Sequence, residues 1–169
     1  QKVEVLAGGN LSAREVDLGH KSGTFGFLLV TDQGSSAVAS LGFFVGDEGS
    51  ASLNVLKGAR VEAPSLVTGV APGGLGNMLI QDAGSALVIT KNFGIGDEGT
   101  GNITVKQGAR VQLEAGGNLY LGISKTGKGT LRISDANSTF DARGVVAQIG
   151  AAGEGTLQLE DGARFLARG

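Results

Sequence analysis

Three aspartates recur at one place in a repeating pattern, and they are the first candidates for chemistry. Asp32, Asp82 and Asp135 open the stretches Asp32-Gln33-Gly34-Ser35, Asp82-Ala83-Gly84-Ser85 and Asp135-Ala136-Asn137-Ser138. Two carboxylates held roughly 6.5–9.5 Å apart are the apparatus of inverting glycoside hydrolysis, one as acid and one as base. An Asp two residues before Gly or Asn is also the ordinary way to cap a turn, and that reading is preferred. Two acidic pairs, Asp47-Glu48 and Asp97-Glu98, lie between glycines. A calcium-binding roll would repeat every nine residues or so with Gly-Gly before each Asp, so these pairs read as solvated loops. His20 is the only histidine. It has no Ser–Asp or Cys partner by spacing and aligns with Ile123, which reads as a surface residue. The glycines form no phosphate loop, because no Gly-Lys-Ser/Thr follows them and no helix begins after them. The expectation is therefore a chain that is not an enzyme, with no catalytic, cofactor-binding or metal-binding set and no cofactor.

What must position these residues is a repeat. Val45-Gly46-Asp47-Glu48-Gly49 returns as Ile95-Gly96-Asp97-Glu98-Gly99. Each is followed by an alternating run, Leu53-Asn54-Val55 or Ile103-Thr104-Val105, and then by Gly58-Ala59-Arg60-Val61 or Gly108-Ala109-Arg110-Val111. A third copy runs from Ile149-Gly150 to Gly162-Ala163-Arg164-Phe165, with weaker copies between. The small residue opening each run falls at Gly26, Ala51, Gly76, Gly101, Gly129 and Gly155. Each unit holds three short stretches with apolar residues at every second position, the period of strands. Such a unit cannot bury its apolar face alone and must stack on copies of itself. The prediction is an all-β chain, a three-sided parallel β-helix of about six coils of about 25 residues each, forming one segment over residues 1–169. At a strand spacing of roughly 4.8 Å the recurring aspartates stand two coils apart, about 9.6 Å.

Inward ladders are predicted at Leu28, Leu53, Met78, Ile103, Leu131 and Leu157, and at Leu18, Val45, Thr68, Ile95, Leu121 and Ile149. Outward positions are where a binding solenoid differs from a bare scaffold. Arg60, Arg110 and Arg164 recur on every second coil of the second side, with Glu62 and Gln112 as neighbours. On the third side the outward column reads Asp17, Phe44, Val67, Gly94, Tyr120 and Gln148. Phe44 and Tyr120 pointing to solvent are unusual in a chain with 5% aromatic residues, and exposed aromatics favour interaction surfaces. Val67 extends the strip and Gly94 leaves a dip. Phe44, Val67, Tyr120, Arg60, Arg110 and Arg164 are thus the candidate partner-binding residues.

Composition narrows the function classes. Glycine supplies 31 of 169 residues against 2 prolines, well above the usual share of about 7% and unlike a collagen or a proline-rich linker. Hydrophobic residues make up 41% and charged residues 18%, the reverse of a disordered chain. A net charge of −2 speaks against nucleic acid or an anionic membrane surface as partner. No run approaches about 18 apolar residues, so no membrane insertion by this segment is expected. There is no cysteine, hence no disulfide framework. The abrupt Gln1-Lys2-Val3-Glu4 start reads as a processed or excised segment.

The string at residues 95–111, Ile-Gly-Asp-Glu-Gly-Thr-Gly-x-Ile-x-Val-x-x-Gly-Ala-x-Val, resembles the repeat associated with type V secretion and PEP-CTERM proteins. That repeat is found in passenger domains of bacterial autotransporters. The resemblance is strongest at 45–63, 95–113 and 149–167. It implies a right-handed parallel β-helix displayed on the bacterial cell surface, outside the cell. It also implies anchoring in the outer membrane through a barrel not contained in this chain, so that the chain is a passenger fragment. The function it implies is adhesion to a host extracellular-matrix or cell-surface protein or glycan. A structural stalk or self-association between passengers is the alternative, and a carbohydrate-active enzyme stands third.

Overall fold

The computed structural model describes residues 1–168, with side chains described through residue 167; these residues form strands and turns, with no helix among them. Alternation and glycine spacing leave no room for one, since helices need about 10 uninterrupted residues and the breakers come sooner. A seven-stranded parallel sheet takes one strand from each coil: β1 (Lys2–Val5), β3 (Phe25–Thr31), β5 (Ser50–Leu56), β7 (Leu75–Gln81), β9 (Thr100–Lys106), β12 (Lys128–Ile133) and β15 (Glu154–Leu159). The rest of each coil belongs to a nine-stranded sheet. It contains β2 (Asn10–Leu18), β4 (Ser36–Val45), β6 (Arg60–Thr68), β8 (Ala86–Ile95), β10 (Arg110–Leu113), β11 (Asn118–Leu121), β13 (Thr139–Arg143), β14 (Val146–Ile149) and β16 (Arg164–Arg168). Every pairing is parallel, between a coil and the next. The chain is a parallel β-solenoid.

Two details depart from expectation. There are about seven coils rather than six, because Val3 and Val5 in β1 pair in register with Leu28 and Val30. In this copy Gln1 stands in line with Gly26, where the other units have Gly or Ala, and this hides the copy from the repeat pattern. The second difference is continuity. In β2, β4, β6 and β8 the second and third stretches run together, bent at register shifts such as Ala13/Glu15 and Ala63/Ser65. A bulge bends a strand without ending its pairing. From the fifth coil onward loops at 114–117 and 144–145 separate the stretches into β10 and β11, then β13 and β14.

The interior follows the predicted ladders. Leu28, Leu53, Met78, Ile103 and Leu131 are buried and mutually in register, as are Leu18, Val45, Thr68, Ile95 and Leu121. In the last coil Leu157 is only half-buried and Ile149 is exposed, because among the described residues β15 and β14 each pair with a single strand, β12 and β11. Phe140 links two sides of the core, stacking on Phe93 at 5.8 Å and on Phe165 at 5.4 Å between ring centroids. Glycine is required where coils touch most closely. Gly96 has a φ of +70°, and a Cβ there would collide with the Lys128 backbone of the next coil. A Cβ on Gly129 would run into the Ile95 carbonyl.

Candidate functional site

The recurring aspartates are structural clamps. Asp32, Asp82 and Asp135 have φ of +77°, +76° and +70°, the left-handed conformation that Asp tolerates better than most residues. Each carboxylate accepts a backbone N–H from the preceding coil: Ala7 at 3.3 Å, Lys57 at 3.0 Å and Gln107 at 3.1 Å. The serine three positions on does the same for the following amide. Ser35, Ser85 and Ser138 accept from Gly8, Gly58 and Gly108 at 2.9–3.0 Å. These serines are essentially buried. The turn reading holds, with the correction that the side chains cap the neighbouring coil. Carboxylates so engaged, on a regular corner, are poorly placed as an acid–base pair.

The third-side column forms in the predicted register. Asp17 lies beside Phe44, Phe44 beside Val67, Val67 beside Gly94, Gly94 beside Tyr120, and Tyr120 beside Gln148. Phe44, Val67 and Tyr120 are half-buried rather than fully exposed. The expected dip at Gly94 is filled. A Cβ there would lie 2.8 Å from Cδ1 of Ile123 and 3.4 Å from a Val67 methyl. Ile123, on the loop after β11, therefore joins Val67 over the glycine. The strip reads Phe44, Val67, Ile123, Tyr120, spanning three strand spacings or about 14 Å. Ile123 escaped the sequence reading because it belongs to a loop column, although the glycine opposite was a signal that something fills the space.

On the second side Arg60, Arg110 and Arg164 alternate with Ser36, Ala86 and Thr139 in one register column. Arg60 is tied to Glu62, with Nη2 2.8 Å from Oε2, so part of the basic column is neutralised as expected. Arg110 and Arg164 flank a shallow hollow of about 330 Å³ with Asn137 and Thr139. A larger open depression of about 750 Å³ lies where the strands separate, lined by Gln112, Glu114, Asp141 and Arg143 among others. Its dominant feature is the Asp141–Arg143 ion pair, which holds the Asp141 carboxyl below its usual range.

The loops carrying the acidic pairs are less solvated than expected. Asp97 is half-buried and accepts the Ser124 hydroxyl at 3.0 Å, while Glu98 is exposed. Asp47 is half-buried beside His20. His20 lies on the surface, its side chain 65% exposed, but it has partners. Its Nδ1 is 2.6 Å from Asp17 Oδ2 and 3.1 Å from Asp47 Oδ2. The hydrogen bond to Asp17 is the main cause that raises the His20 pKa above its ordinary value. Asp17 is raised as well, because burial of its carboxyl outweighs the lowering effect of the His20 bond. Spacing within one coil could not show this cluster: His20 and Asp47 stand 27 residues apart and meet because Leu18 pairs with Val45 in the next coil. Comparison with family models, with curated proteins and with solved structures finds no match for this chain in any of the three.

Proposed function

We propose that this chain is a length of a non-enzymatic bacterial cell-surface adhesin of the autotransporter passenger kind. Its third side binds a host extracellular-matrix or cell-surface protein or glycan. The observation that carries this reading is the strip of Phe44, Val67, Ile123 and Tyr120, which stand in line across successive coils on the third side. Aromatic and branched side chains in line supply contact area at little entropic cost, and a parallel solenoid holds them rigid at a fixed pitch. The passenger assignment rests on the repeat string at 95–111. With it go display outside the cell and an outer-membrane barrel as anchor.

The test is equilibrium binding of the purified chain to a panel of matrix proteins and glycans, with sedimentation of the chain alone. Saturable binding to a panel member supports the adhesin. A chain that binds nothing and stays monomeric is a stalk. One that associates with itself is a passenger-to-passenger contact.

A further inference from the structure

We propose that Asp17, His20 and Asp47 form a site for a divalent first-row transition metal of the zinc class, with coordination positions left open to solvent. The sequence offered no metal-ligand spacing, and the site is assembled only by stacking the first two coils. Asp17 comes from the end of β2, His20 from the loop after it, and Asp47 from the same corner of the next coil. Their donor atoms, Nδ1 and two carboxylate oxygens, all lie within 4.8 Å of one another. Donors around a tetrahedral zinc ion at about 2.0–2.1 Å stand roughly 3.3 Å apart, so small side-chain rotations suffice.

The local electrostatics favour a cation. Imidazole Nδ1 bears at most one hydrogen, yet two carboxylates converge on it, so one proton cannot satisfy both. Asp17 is also under-compensated in a second way. Its side chain is only 24% exposed, and its other oxygen, Oδ1, is closed to solvent with no hydrogen-bond partner among the described residues. Buried charge is normally paired or bound to metal. A dication seated between the three donors would neutralise both carboxylates at once. One imidazole with two carboxylates suits zinc, manganese or cobalt better than calcium, which prefers an all-oxygen shell of six to eight ligands. The hollow beside the cluster, about 250 Å³ and lined in part by Gln1, Lys21 and Thr24, leaves room for water on the open positions.

The repeat supplies its own control. Asp97 occupies the position of Asp47 two coils further on. There the preceding coil presents Val67 and Val70 where Asp17 and His20 stand, and Asp97 bonds Ser124 instead. The donor set is thus a property of one corner rather than of the repeat.

The experiment is calorimetric titration of Zn²⁺ into the metal-free chain at pH 7.5. In parallel, NMR follows the imidazole of His20, the single histidine. One equivalent should bind and shift the His20 signals. His20→Ala and Asp47→Asn should each weaken binding by at least about a hundredfold, more than loss of an outer-shell partner costs. Asp97→Asn should leave it unchanged. All three side chains lie at the surface or partly exposed, so circular dichroism should show intact folding. The proposal is overturned if the parent chain takes up no zinc below millimolar concentration, if His20→Ala retains the parent affinity, or if Asp97→Asn weakens binding as much as Asp47→Asn.

Discussion

The carboxylate of Asp82 accepts the backbone N–H of Lys57, 25 residues earlier and one coil away, at 3.0 Å. Ser85 completes the clamp on Gly58 at 2.9 Å. The same pair of bonds joins Asp32 and Ser35 to Ala7 and Gly8, and Asp135 and Ser138 to Gln107 and Gly108. Acceptor coils with an Asp-X-Gly/Asn-Ser corner therefore alternate with donor coils with a tight glycine corner. This explains why the structural period is one coil while the sequence period is two. Donor residues Lys57 and Gln107 have φ of +51° and +55°, which aims successive N–H groups at the next coil.

Removal of one clamp should therefore cost stability out of proportion to its size. Ser85→Ala leaves the part-buried Gly58 N–H without an acceptor, and an unsatisfied buried donor costs about 1–3 kcal/mol. Ser36→Ala, which removes only an exposed bond to Asn10, should cost under about 0.5 kcal/mol. Urea denaturation of both variants measures the difference. Equal losses would show that the clamp is not a stabilising element.

Thr68 is the one polar residue in an otherwise aliphatic inward ladder. It is fully buried, and its Oγ1 has no hydrogen-bond partner among the described residues. Valine has nearly the same shape without the unsatisfied hydroxyl, so Thr68→Val should stabilise the solenoid by about 1 kcal/mol or more. A raised denaturation midpoint with unchanged slope is the expected readout. A lowered midpoint would mean that the hydroxyl is satisfied in solution.

The Asp141–Arg143 pair should shape the acid limb of stability. Arg143 lowers the Asp141 pKa from its ordinary 3.8 through hydrogen bonding. A carboxyl depressed on folding contributes stability that is present above the unfolded value and is lost as pH falls through the folded one. Asp141→Asn should thus lower the melting temperature near neutrality, with the gap to the parent closing below about pH 3.8. Thermal unfolding between about pH 6 and pH 2 tests this. A gap that stays constant with pH would argue against the linkage.

For the outer surface, Phe44→Ala together with Tyr120→Ala should remove most binding to a host-surface partner. Interface anchors are worth about 2 kcal/mol or more each, roughly thirtyfold in affinity. Charge reversal of Arg60, Arg110 and Arg164 should act more weakly at physiological salt, where screening is strong. Circular dichroism serves as the folding control. Full affinity in the aromatic double variant, with loss in the arginine variant, would move the site to the second side.

By itself the sequence determined the strand alternation, the inward ladders and the stacking register. It did so because each is a short-range pattern: a period of two places Ile103 inside and Thr104 outside, and repetition puts Ile103 beside Met78 and Leu131. The column Phe44, Val67, Gly94, Tyr120 followed from the same register. Only the tertiary structure decided what happens at the corners. The merging of two strands in β4 and β6 depends on bulges that leave little mark in residue type. Ile123 over Gly94, and Asp47 beside His20, are contacts between coils whose sequences differ at those points. Repetition predicts which residues become neighbours along a face. Where the backbone turns, the direction of each side chain is set by φ values and bulge positions that only the folded chain defines.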